Sequence, residues 1–255
     1  MIAFWAMAWN GFREASRNRV TVVVAGFAAV MLLSTRLVAD VTVWTFDRVL
    51  TDFGLSMMTF IEVGLAVFLS CGLLPKEIER RTLFLIVSRP ISRGQFLVAR
   101  LAGNMITLLV LVGIMTALMT AELVLFRAHL SQATFAAVIG LSIELLVLSA
   151  AGFFFSSFSG QVVAATCTLA LYFSGHLSIE LWRLAEKADS NTARHAIKAL
   201  YYLLPNLEKL NFRPFAAYAQ PVPAEMLING ALYGLAYSAV LVVAAILIFD
   251  RRDFR

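Results

Sequence analysis

The chain has 255 residues, 60% of them hydrophobic and only 15% charged, with a mean hydropathy of +0.82 and a formal net charge of +5. A soluble domain carries about 25% charged residues, so this composition excludes an ordinary soluble protein and points to a polytopic membrane protein. Nor does the positive charge mark a nucleic-acid binder, because the Lys and Arg residues fall between apolar runs rather than on one face.

Residues 2–19 predict an amphipathic helix. Phe4, Trp5, Ala8, Trp9 and Phe12 share one face, and Asn10, Arg13, Glu14 and Arg17 take the other. Such a helix suits the membrane interface. Its apolar part precedes its basic part, which is the wrong order for a signal peptide. The apolar runs that follow predict six spans, at about 20–38, 53–74, 96–118, 134–155, 161–178 and 226–249, against the ~20 residues that a crossing takes. The first is closed by Arg36, whose stem can snorkel. Residues 40–52 and 122–131 are expected as loops on one side, and 156–160 as a tight turn on the other.

The densest polar island is 73–100, with Lys76, Glu77, Glu79, Arg80, Arg81, Arg89, Arg93 and Arg100. Pro75 suits the first position of a helix, and Glu77 and Glu79 in its first turn favour the dipole. That helix is expected to stop near Arg89, because Pro90 pushes its predecessor out of the α region. Ser92-Arg93-Gly94-Gln95 is a capping box for the next span.

Between Glu77 and Arg100 the chain reads E-x-E-R-R-T-L-x-L-x-x-S-R-P-I-S-R-x-x-F-L-x-x-R. This run resembles the cytoplasmic signature of the ABC-2 type permeases, the type-2 membrane subunits of ATP-binding-cassette transporters. The resemblance implies an all-α integral membrane protein, one six-span domain over residues 1–255. It also implies an N-terminal elbow helix, a cytoplasmic coupling helix and an external helical segment between spans 5 and 6. It implies that Lys76, Glu77, Glu79, Arg80, Arg81, Thr82, Ser88, Arg89, Pro90 and Arg93 dock on a separate ATPase, present in two copies that hold ATP and Mg. The stretch YYLLPNLEKLNF, residues 201–212, resembles the external segment of the copper-maturation and gliding branches of the same family.

Six spans put both termini on one side. With that side inside, twelve of the 21 Lys and Arg residues are cytoplasmic and three (Arg36, Arg48, Arg127) lie on short outer loops or span ends. The other six lie on the long outer segment 181–223, which counts less for orientation. Both termini are therefore expected in the cytoplasm, and the resemblance places the protein in a bacterial inner membrane.

Site chemistry is sparse. No G-x-x-x-x-G-K-[ST] phosphate loop occurs, so any ATP is expected on another chain, and no catalytic, cofactor-binding or metal-ligating residue is expected here. His129, His176 and His195 are scattered, without a Ser, Asp or Cys partner at useful spacing. Cys71 and Cys167 read as small core residues. Two carboxylates fall inside spans, Glu62 and Glu144, and an intramembrane carboxylate raises a functional question by default. Glu62 shares a helical stripe with Thr59, Ala66 and Ser70, so it is expected to face other helices. Its role is open between structure and function, while Glu144 reads as structural.

The resemblance implies a homodimer, or a pair with a similar permease, with Ala25 and Ala29 of the first span and Ala164 and Thr168 of the fifth as the seam. Gly230, Gly234 and Ser238 form a rival small-residue seam. The expected function is that of a permease subunit coupling ATP hydrolysis on its partner to export. The alternative is a subunit that passes force to an extracytoplasmic protein without moving a substrate. An integral-membrane enzyme would need a catalytic group near a span end, and none stands out.

Overall fold

A computed structural model describes residues 9, 22–36, 45–79, 93–128, 130–187 and 190–251. Among these residues the fold is all-helical. In chain order it comprises α1 (Val22–Arg36), α2 (Phe46–Glu79), α3 (Arg93–Leu125), α4 (Gln132–Ser156), α5 (Gln161–His176), α6 (Ser178–Lys187) and α7 (Asn191–Leu203). A 3-10 turn (Leu207–Leu210), α8 (Arg213–Ala217) and α9 (Ala224–Arg251) complete it.

Among the described residues four helices are long and apolar enough to cross a membrane: α2, α3, α4 and α9. The bent pair α5 and α6, which meet at 67°, would make a fifth. The expected count of six is therefore reached only in part among the described residues, where α1 is a shorter apolar helix. The long helices also overrun the expected spans. An apolar run marks only the part of a helix that sits in hydrocarbon, and the backbone hydrogen bonds continue into the polar flanks. Residues 46–52 accordingly begin α2, and Glu122 lies inside α3 rather than in a loop.

Pro75 opens no new helix: α2 continues through it to Glu79. An interior proline leaves the carbonyl four residues earlier without its N–H. That carbonyl belongs to Cys71, and the Ser156 hydroxyl at the end of α4 donates to it at 3.4 Å. A neighbouring serine thus takes up the hydrogen bond that the proline cannot make.

α4 is the hub. It packs against α2, α3, α5, α8, α9 and the 3-10 turn. Ser131 caps its start by accepting from the Ala133 N–H at 3.2 Å. Small residues let its neighbours approach, as at Gly152, where an added Cβ would strike the Ser70 side chain of α2. The faces turned away from α4 are apolar and exposed, including Val162, Val163 and Phe173 on α5 and Leu232, Val240, Val243 and Leu247 on α9. A bundle that buries polar residues beside its Leu, Met and Phe core, and still exposes Val, Leu and Phe on its outer faces, fits a lipid surround.

Residues 205–217 form a cap at the end of the bundle where α4 begins. Pro205 stops α7, and Leu207, Leu210, Phe212 and Ala216 are buried among the helices. Two glycines make room for its backbone. A Cβ at Gly140 would collide with the Leu210 carbonyl, and one at Gly230 would come within 2.8 Å of the Lys209 carbonyl. The Gly230–Gly234 seam therefore seats the cap of its own chain. Tyrosines of α9 stitch the cap's entry: the Tyr237 hydroxyl donates to the Leu203 carbonyl at 2.9 Å, and Tyr233 accepts from the Asn206 N–H at 2.8 Å.

Candidate functional site

Glu144 stands at the midpoint of α4, twelve residues from each end, or about 18 Å along the axis at 1.5 Å per residue. Its side chain is 4% exposed. His176 is the last residue of α5, so this helix ends at the level of the midpoint of α4, where the chain bends into α6. The Nε2 atom of His176 lies 2.8 Å from Glu144 Oε1. On the other side of the ring, Nδ1 lies 3.3 Å from Oε2 of Glu208, in the 3-10 turn of the cap. One imidazole thus joins a span, a half-length helix and the cap.

The surroundings hold this arrangement in place. Tyr172, one turn earlier on α5, packs edge-on against the His176 ring at 4.8 Å between centroids. Asn211 donates from Nδ2 to Glu208 Oε1 at 3.1 Å and accepts at its own Oδ1 from Arg213 Nε at 3.0 Å. The chain of contacts runs from buried Glu144 to half-exposed Arg213 through alternating acids, amide and cation. Gly175, next to His176, keeps this approach close, because a Cβ there would fall 2.8 Å from the Pro205 carbonyl.

The second intramembrane carboxylate is managed differently. Glu62 is fully buried at the centre of α2, and Thr59, Ala66 and Ser70 on its stripe are buried with it, as the helical spacing predicts. Both its oxygens lack a hydrogen-bond partner among the described residues. A third buried carboxylate, Glu122 of α3, accepts a hydrogen bond from the Thr35 hydroxyl and so ties α1 to the bundle.

The remaining expected site residues are distributed as follows. Lys76, Glu77 and Glu79 lie on the last turn of α2, and Arg93 opens α3. Arg80, Arg81, Thr82, Ser88, Arg89 and Pro90 lie outside the described residues, as does the elbow segment 2–19 apart from helical, exposed Trp9. Ala25 and Ala29 are exposed on α1. Ala164 and Thr168 pack inward instead: both are fully buried, and the Thr168 hydroxyl lies 3.5 Å from Cys71 Sγ of α2. Their face meets α2 of the same chain. Sequence reading passed over His176 and Glu208. Each partner of His176 stands 32 residues away in the chain, a separation that no helical periodicity reports. The available signal was a histidine closing one apolar run and a glutamate in the middle of another.

The described residues thus define an all-helical bundle of four helices, or five with the bent pair, that could cross a membrane, with a polar cluster at its centre and a cap over one end. No protein-family model matches the chain, and no curated protein matches it either.

Proposed function

We propose that this chain is the membrane subunit of an ATP-driven complex, similar to the ABC-2 type permeases, with its ATPase on a separate polypeptide. The observation that carries this reading is the run from Glu77 to Arg100, in which charges and the S-R-P-I-S-R sequence join α2 to α3. Those two helices pack against each other and against α4. A push on the segment between them would therefore be felt by the hub and, through it, by the cap. The chain has no phosphate loop of its own, so the proposal assigns ATP and Mg to the partner. It places both termini in the cytoplasm and the cap outside.

Export and force transmission remain the two outputs of such a subunit. The α6–α7 hairpin favours the second. The two helices pack mainly on each other, through Trp182 and Tyr201 at 5.2 Å with Lys198 over the Trp182 ring. They leave Leu184, Leu200, Tyr202 and Leu203 exposed. A hairpin with exposed apolar side chains that also carries Arg183, Lys187, Arg194 and Lys198 is suited to gripping a protein outside the membrane.

The test is a charge swap, Glu79→Arg with Arg80→Glu, in the full chain co-expressed with a candidate ATPase subunit. The variant should insert in the membrane normally and lose co-purification with the ATPase. Undiminished co-purification contradicts the proposal. Loss of an extracytoplasmic protein on replacing Lys187, Arg194 and Lys198 with Gln, with ATPase binding kept, would select force transmission.

A further inference from the structure

We propose that Glu144, His176 and Glu208 form a proton-binding site, and that the proton it holds ties the cap to the spanning helices. The argument is a count of donors. A neutral imidazole offers one N–H and one lone pair, and a carboxylate offers only lone pairs. His176 has a carboxylate oxygen at each ring nitrogen, 2.8 Å at Nε2 and 3.3 Å at Nδ1. Both contacts are hydrogen bonds only if the cluster carries one proton more than a neutral histidine and two carboxylates do. That proton resides on the ring as imidazolium, or on one carboxyl as the neutral acid. These are two arrangements of the same proton count.

Removing it has a definite structural consequence. The single remaining N–H goes to Glu144, the shorter contact and the more buried acid, since Glu144 is 4% exposed against 34% for Glu208. The Nδ1 lone pair then faces the lone pairs of Glu208, and that contact opens. The proton leaves toward Glu208, the wetter side. Glu208 belongs to the 3-10 turn, so what loosens is the cap's grip on α5.

The other charged groups around the ring do not supply the missing donor. Glu144 is the one ionisable residue of α4. Arg213 of α8 reaches Glu208 only through Asn211, and Lys209 of the 3-10 turn lies over the Tyr233 ring at 4.6 Å. Tyr172 meets His176 in a T-shaped ring contact rather than a hydrogen bond. Asp47, Arg48, Asp52 and Glu62 of α2, and Glu180, Arg183, Glu186 and Lys187 of α6, make no contact with His176 among the described residues. The two acids approach opposite nitrogens and cannot converge on one ion, and no group of three metal-ligating side chains is placed to hold a metal among the described residues. The ligand is a proton.

The same count makes a prediction that an ordinary ion pair would not. A glutamine in place of either acid brings an N–H₂ donor to the ring lone pair, so Glu144→Gln and Glu208→Gln satisfy the cluster without the extra proton. The experiment is hydrogen exchange of the full chain in detergent micelles, reading the protection factor of amides in 205–212 from about pH 5 to about pH 9. Wild-type protection should fall about tenfold or more as the proton leaves, the effect of losing one charge-assisted hydrogen bond. In Glu208→Gln and Glu144→Gln it should stay high and flat. A flat wild-type profile overturns the proposal, and so does loss of cap protection at every pH in both Gln variants. If neither variant folds, ¹⁵N imidazole shifts of the wild type decide. A signal that changes protonation state across the same pH range as cap protection supports the site, and one neutral tautomer throughout, with the cap still protected, overturns it.

Discussion

Glu62 and Glu144 lie near the centres of adjacent packed helices, and the protein treats them in opposite ways. Glu144 is joined to His176 and through it to the cap, whereas Glu62 shares its stripe with Thr59 and Ser70, whose hydroxyls donate to carbonyls of their own helix, and has no hydrogen-bond partner among the described residues. An unpaired carboxylate at that depth is costly, and no hydrogen bond among the described residues offsets that cost at Glu62. Glu144 instead has a hydrogen-bond partner, one that joins it to the cap. The difference teaches where polar function resides in this bundle. Position in a span makes a carboxylate expensive, but only contact with a second titratable group makes it responsive.

The largest break in that comparison is Glu144→Leu. It leaves His176 Nε2 facing a hydrocarbon side chain at the centre of the bundle, and breaking a buried pair in this way costs about 3 kcal/mol. Thermal unfolding in detergent should show the loss, with cap amides exchanging first. A change below about 1 kcal/mol would mean that the pair adds nothing to the fold. A smaller effect sharpens the comparison from a third site. Thr35→Val removes the hydroxyl that donates to buried Glu122 and should cost about 1 to 2 kcal/mol, since it leaves an acceptor without its partner. That loss should appear as earlier exchange of α1 amides while the cap stays protected. Equal loosening of α1 and the cap would contradict the separation of the two sites.

The parts of this structure legible in the sequence are those written locally. Apolar runs located the long helices, Pro205 ended α7, and the spacing of Thr59, Glu62, Ala66 and Ser70 placed one stripe inside the bundle. Helix ends were less legible. Pro75 reads as a start signal when seen alone, yet it lies inside α2, where Ser156, 85 residues beyond Cys71, donates to the Cys71 carbonyl that the proline frees. Small-residue spacing is legible only in part for a related reason. A small-residue spacing announces that something packs closely there without saying what: α2 at Ala164 and Thr168, the cap at Gly230 and Gly234. The His176 cluster was illegible because it joins three segments that only the tertiary fold brings together.

The most direct test of the account is a pair of double-mutant cycles on unfolding stability, each sharing His176→Leu. With Glu144→Leu, the two single losses should exceed the double loss by about 2 kcal/mol, because the residues share one contact. With Glu62→Leu, which alone should change stability by about 1 kcal/mol or less, the effects should add to within about 0.5 kcal/mol. Coupling confined to the Glu144 cycle is the result this account predicts. Additivity in that cycle, or comparable coupling in both, would contradict it.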